Sequence, residues 1–88
     1  MTDDMTLETR IGELLAARSP DASLCPSEVA RSLACGENAW RALMPHIRRV
    51  AARMAASGRI RATQGDREVD LDGELRGPIR LRRGDRFD

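Results

Sequence analysis

The chain has 88 residues, 41% of them hydrophobic and 33% charged, the proportions of one small folded domain rather than of a disordered segment. Its 15 basic and 14 acidic residues leave a net charge of +1, so bulk charge selects no partner. No charge-free apolar run approaches the roughly 18 residues of a membrane span, and the acidic start lacks the basic leader of a secreted chain. The expected compartment is the cytoplasm.

Leu7, Ile11, Leu14 and Leu15 recur at the spacing of one helix face, with Glu8, Arg10, Glu13 and Ala17 on the other. Thr6 is the expected N-cap, and Ser19-Pro20-Asp21 ends the helix near Arg18. Ser23-Leu24-Cys25 leaves room for a very short strand. Pro26 suits the first position of a second helix, where its missing N–H costs nothing, and Glu28 suits that helix's positive end. Val29, Ala30 and Leu33 continue its apolar face until Cys35-Gly36-Glu37-Asn38 breaks the pattern. Gly36 is placed to take a left-handed cap there, and Asn38 to cap a third helix.

Trp40, Leu43, Ile47, Val50, Ala51 and Met54 lie on one face of this third helix, and the stripe runs through Pro45. Proline removes a backbone donor and disfavours a helical Met44. Either the helix kinks at Pro45, or a turn over residues 39–44 leads into a fresh helix with Pro45 in its first turn. The second arrangement is preferred. Ser57-Gly58 is the stop.

Residues 59–64 alternate as a strand, with Ile60 and Ala62 on one side and Arg59, Arg61 and Thr63 on the other. Gly65-Asp66 makes a turn into a return strand over residues 67–71. A second turn at Asp72-Gly73 leads through Gly77-Pro78 to alternating residues 79–82. The whole is an α+β, mainly helical chain in the order of a winged helix-turn-helix domain, three helices and then a β-hairpin. The domain is expected to span residues 6–82, with residues 1–5 and 83–88 as flexible ends. A three-helix bundle with an irregular tail is the rival.

The residue inventory argues against enzymatic chemistry. Cys25, Cys35 and His46 are too few, and wrongly spaced, for a metal site. No glycine-rich phosphate loop is present, and no Ser or Cys has an identifiable base. No cofactor, metal or membrane is expected, and the chain is not read as an enzyme.

Charge is unevenly distributed. Residues 1–47 carry four Arg and seven acids, whereas residues 48–88 carry eleven Arg and seven acids, and Lys is absent. His46, Arg48, Arg49, Arg53, Arg59 and Arg61 fall within a stretch free of acids, on or just after the third helix. That helix is the one this fold lays in the major groove, so double-stranded DNA is the expected partner. Three features oppose this reading. Asp66, Glu68, Asp70, Asp72 and Glu74 make an acidic wing, no spare helix is left for dimerisation, and Trp40 and Phe87 are the only aromatics. A protein partner or self-association through the basic helix and acidic wing is the alternative, and a small-ligand site using Arg41, Arg80 and Cys25 is a third.

Residues 25–31 (CPSEVAR), 40–45 (WRALMP) and 77–80 (GPIR) together resemble the signature of a small bacterial domain family of unknown function. The resemblance implies a winged-helix-like fold and no activity, cofactor or partner. Within these motifs, Trp40 is expected in the core. Glu28, Arg31, Arg41 and Arg80 are expected either as ion pairs tying the second helix to its neighbours or, for Arg41 and Arg80, as a grip on an anionic ligand.

Overall fold

The computed structural model describes residues 3–71 and 77–87. Three helices, α1 (Asp4–Ala16), α2 (Pro26–Leu33) and α3 (Glu37–Ala56), are joined by four short strands, β1 (Ser23–Leu24), β2 (Ile60–Gln64), β3 (Arg67–Glu68) and β4 (Arg80–Arg83). The strands form one antiparallel sheet in the order β1-β4-β2-β3. This is an α+β, winged-helix-like arrangement, and the four-stranded sheet rules out the bundle with an irregular tail.

The apolar stripes of the helices meet as their periodicity requires. Leu7, Ile11 and Leu15 of α1, Val29 and Ala30 of α2, and Ile47, Val50, Ala51 and Met54 of α3 are buried together. Leu24, Ile60, Ala62 and Leu81 close the core from one face of the sheet. Trp40, expected within this core, is half-buried and packs against its margin. Its ring is too near the open end of α3 to be enclosed.

Several boundaries differ from expectation. The N-cap of α1 is Asp3, whose carboxylate accepts the Thr6 N–H at 2.9 Å, so Asp4 and Met5 belong to the first turn. Two acids at this end complement the helix dipole better than Thr6 alone would. The second helix ends at Leu33, and Gly36 (φ 89°) opens α3 instead of closing α2. Glu28 reaches back to the Cys25 N–H at 3.4 Å, one half of a capping box.

Pro45 neither starts a new helix nor breaks the old one: α3 runs 20 residues through it. Pro45 is exposed, so the carbonyl of Arg41 that loses its intrahelical donor lies on the water side. The apolar stripe packs on the core on both sides of the proline, partly buried before it at Trp40, Leu43 and Met44 and fully buried after it from Ile47, and this packing outweighs the lost bond.

The return strand is shorter than expected, covering Arg67–Glu68, although the Val69 N–H still donates to Ala62 at 2.9 Å. The turn at Asp72-Gly73 and the acids Asp72 and Glu74 lie outside the described residues. The C-terminal segment, expected as a loose tail from residue 83, is bonded to the domain. Arg83 belongs to β4, and its Nη2 donates to the carbonyls of Leu15, Ala16 and Arg18 at 3.0, 3.4 and 2.8 Å. Helix α1 has no basic residue in its own last turn, so β4 supplies the missing cap. The N–H groups of Gly84 and Arg86 bond the carbonyls of Arg59 and Gly58, and Phe87 lies under the Arg83 guanidinium at 4.8 Å.

Candidate nucleic-acid interface

With Ile47, Val50, Ala51 and Met54 turned inward, helical geometry places Arg48 and Arg49 toward solvent. Both are exposed, and neither makes an ion pair or hydrogen bond to any described residue. Ala52, half-buried, and Ala56, exposed, continue this side of the helix. Between Ala52, Ala55 and Ala56 of α3 and Val69 and Leu71 beyond β3 runs a groove of about 450 Å³.

The remaining candidates on α3 do not join that surface. His46 Nε2 meets Asp4 Oδ1 of α1 at 2.5 Å, and Arg53 Nη2 meets the other oxygen of the same carboxylate at 2.8 Å. The hydrogen bond from His46, with that from Arg53, holds the Asp4 carboxyl below its ordinary range. Arg59 is drawn to Glu8 of α1 at 2.9 Å. Asp4 and Glu8 are one turn apart, so the first half of α1 lays an acidic edge against the basic side of α3. The six-residue cationic platform read from the sequence is therefore divided, with three of its members bonded to two carboxylates of α1. The sequence shows Asp4 and Glu8 on a common helix face but not how α1 is rotated against α3, and only that rotation makes them partners.

Arg61 is exposed on the outer face of the sheet, its Nε donating to the Arg83 carbonyl at 3.2 Å. The alternation of β2 turns it away from the core, as expected. The described wing acids Asp66, Glu68 and Asp70 are exposed.

The motif residues form two clusters. In the first, the carboxylate of Glu28 is bonded by Arg18 Nη2 from the end of α1 and approached by Arg80 Nη1 of β4 at 3.9 Å. Arg18 and Arg80 both donate to the Ser23 carbonyl as well, at 2.9 and 3.2 Å, and Arg80 Nε reaches the Ser23 hydroxyl at 2.8 Å. Partial burial raises the Glu28 pKa. The hydrogen bonds from Arg18 and the Cys25 N–H and the charges of Arg18 and Arg80 outweigh it, so the net shift is downward. The cluster ties α1, β1, α2 and β4 together. Arg18 is its tightest member, and nothing in its sequence neighbourhood signals that role.

In the second cluster, Arg31 of α2 and Arg41 of α3 lie over the Trp40 ring at 4.6 and 5.5 Å from its centroid. Arg41 also pairs with Glu37 at 3.0 Å. Both guanidiniums are exposed, and the stack clips α2 to the start of α3.

Among the described residues no group of three or more His, Cys, Asp or Glu is placed to hold a metal ion, and no helix is long and apolar enough to cross a membrane. Residues 4–84 match the profile of a family described as "Protein of unknown function (DUF3253)". No curated protein matches the chain.

Proposed function

The chain belongs to the DUF3253 family, and from the geometry of its third helix we propose that the domain binds double-stranded DNA. The observation that carries this reading is the pair Arg48 and Arg49, adjacent on the exposed side of α3 and without a carboxylate partner among the described residues. Guanidinium forks on a helix of this kind suit phosphate oxygens and guanine edges, and Ala52 and Ala56 let the helix approach a groove closely. Arg53, His46 and Arg59 contribute only where DNA phosphates displace Asp4 and Glu8. The test is anisotropy of a labelled duplex with the wild type, an Arg48→Ala/Arg49→Ala variant and an Arg53→Ala variant. The proposal expects the double variant to lose at least tenfold in affinity and Arg53→Ala to change it less than threefold. Equal affinity for wild type and double variant overturns it.

A second reading, docking of a protein partner, is favoured by the groove between α3 and the wing, where alanine, isoleucine, valine and leucine side chains are bordered by Arg61, Glu68 and Asp70. A partner seated there would be sensitive to Ala55→Glu and insensitive to Arg48→Ala/Arg49→Ala, the reverse of the DNA pattern.

A further inference from the structure

The register of the central strand pair sets two like charges side by side. Arg61 of β2 is the direct cross-strand partner of Arg82 of β4, and Ser23 of β1 continues the same row beyond Arg82. Directly opposed residues share a face, with Cβ atoms about 4.5–5.5 Å apart, and like charges so placed repel. Among the described residues neither arginine is paired with a carboxylate. Exposure alone would let the two side chains splay apart into water. Instead each is held by neutral acceptors. Arg61 Nε donates to the Arg83 carbonyl at 3.2 Å, Arg82 Nε to the buried Thr63 hydroxyl at 3.3 Å, and Arg82 Nη1 to the Asp21 carbonyl at 2.9 Å. Among the described residues, these bonds engage neither η nitrogen of Arg61 and leave Nη2 of Arg82 open. The two side chains border a shallow depression of about 310 Å³ formed by Arg61, Thr63, Gly65, Asp66 and Arg82.

We propose that this outer-face depression is an oxyanion site, in which Arg61 and Arg82 together hold a phosphate group through their η nitrogens. Two planar forks held through Nε have already lost much of their rotamer freedom, so less is forfeited on binding. A doubly charged tetrahedral anion between them also removes their mutual repulsion. Asp66, at the β2–β3 turn, borders the far end and disfavours an anion that extends in that direction, which limits the site to a compact group. The site is separate from the proposed DNA surface, because Arg61 and Arg82 lie on the sheet's outer face and Arg48 and Arg49 on α3.

The test is two-dimensional NMR of the arginine Nε–H signals of the full chain, titrated at constant ionic strength. The titrants are inorganic phosphate, ribose 5-phosphate as a phosphate monoester, and sodium chloride as the reference, with thermal unfolding in parallel. The Arg61 and Arg82 signals should move and saturate with phosphate and not with chloride. At tenfold excess over Kd the unfolding equilibrium constant should fall about tenfold, which appears as a midpoint rise of several degrees. Arg61→Gln should abolish both effects while matching or exceeding the wild-type midpoint without phosphate, since it relieves the repulsion. Arg48→Ala/Arg49→Ala should retain both, so failure of the DNA reading leaves this one standing. Tighter saturation by ribose 5-phosphate identifies a phosphorylated small molecule as the ligand, and tighter saturation by inorganic phosphate the free anion. Shifts that follow chloride equally, or that persist in Arg61→Gln and Arg82→Gln, overturn the site.

Discussion

Asp4, in the first turn of α1, holds Arg53 of α3 at 2.8 Å across the domain. The same carboxylate takes His46, so a single acid occupies two of the cations that the sequence assigns to a DNA-binding surface. Removing it should enlarge that surface. Asp4→Asn is expected to tighten binding of a non-specific duplex by about threefold or more at low salt. It should also make the salt dependence steeper by about one counterion, because Arg53 then becomes free to meet a phosphate. The pair is exposed, so the thermal midpoint should change little. An unchanged salt slope in this variant would mean that Arg53 stays away from the duplex.

The Glu28 cluster makes a ranked prediction. Glu28 takes a hydrogen bond from Arg18, whereas Arg80 stands 3.9 Å away and bonds chiefly to Ser23. Loss of Glu28 removes a capping interaction and charge-assisted bonds together, and Glu28→Ala should cost about 1–2 kcal/mol, given that the site is half open to solvent. Arg18→Ala should cost more than Arg80→Ala. Urea unfolding of the three variants decides the order.

The same carboxyl sets an acid limit on stability. Its pKa is lower folded than unfolded, so between the two values the folded state binds fewer protons. The stabilisation is complete above the ordinary glutamate range and is lost as pH falls through the depressed value. Denaturant midpoints should therefore drop more steeply on acidification in the wild type than in Glu28→Gln. Parallel pH profiles would remove Glu28 as the cause.

Gly84 is required by a close approach. A Cβ at this position would overlap the Gly58 carbonyl oxygen, which is backbone and cannot swing aside. Gly84→Ala should separate the C-terminal segment from the β2 entry and cost about 1–3 kcal/mol. Gly12, with nothing within 4 Å of its Cβ position, is the matched control, and Gly12→Ala should be neutral or stabilising. Thermal midpoints of the two variants test this.

Much of the fold is legible from local pattern. The stripes Leu7/Ile11/Leu15 and Ile47/Val50/Met54 repeat at the helical period, and Ser57-Gly58 ends α3 where it should, so elements and core follow from spacing alone. Pro45 misleads because its cost depends on whether the orphaned carbonyl faces water, which local sequence does not reveal. The site is less legible for a related reason. Arg53 and Arg49 look alike on a helix, and what separates them is the rotation of the distant α1, which brings Asp4 to one and not the other. Arg82 and Arg83 read as the end of the wing and the start of a tail until the sheet order places β4 between β1 and β2. One then faces Arg61 and the other caps α1.

If α3 presents two unpaired guanidiniums to a DNA duplex, the salt dependence of binding measures them most directly. With Arg48 and Arg49 each meeting one phosphate, log affinity should fall against log salt with a slope of about −2 in the wild type. In Arg48→Ala/Arg49→Ala, at an unchanged thermal midpoint, the slope should be close to zero. A slope near zero in the wild type, or one that the double variant shares, would contradict the account.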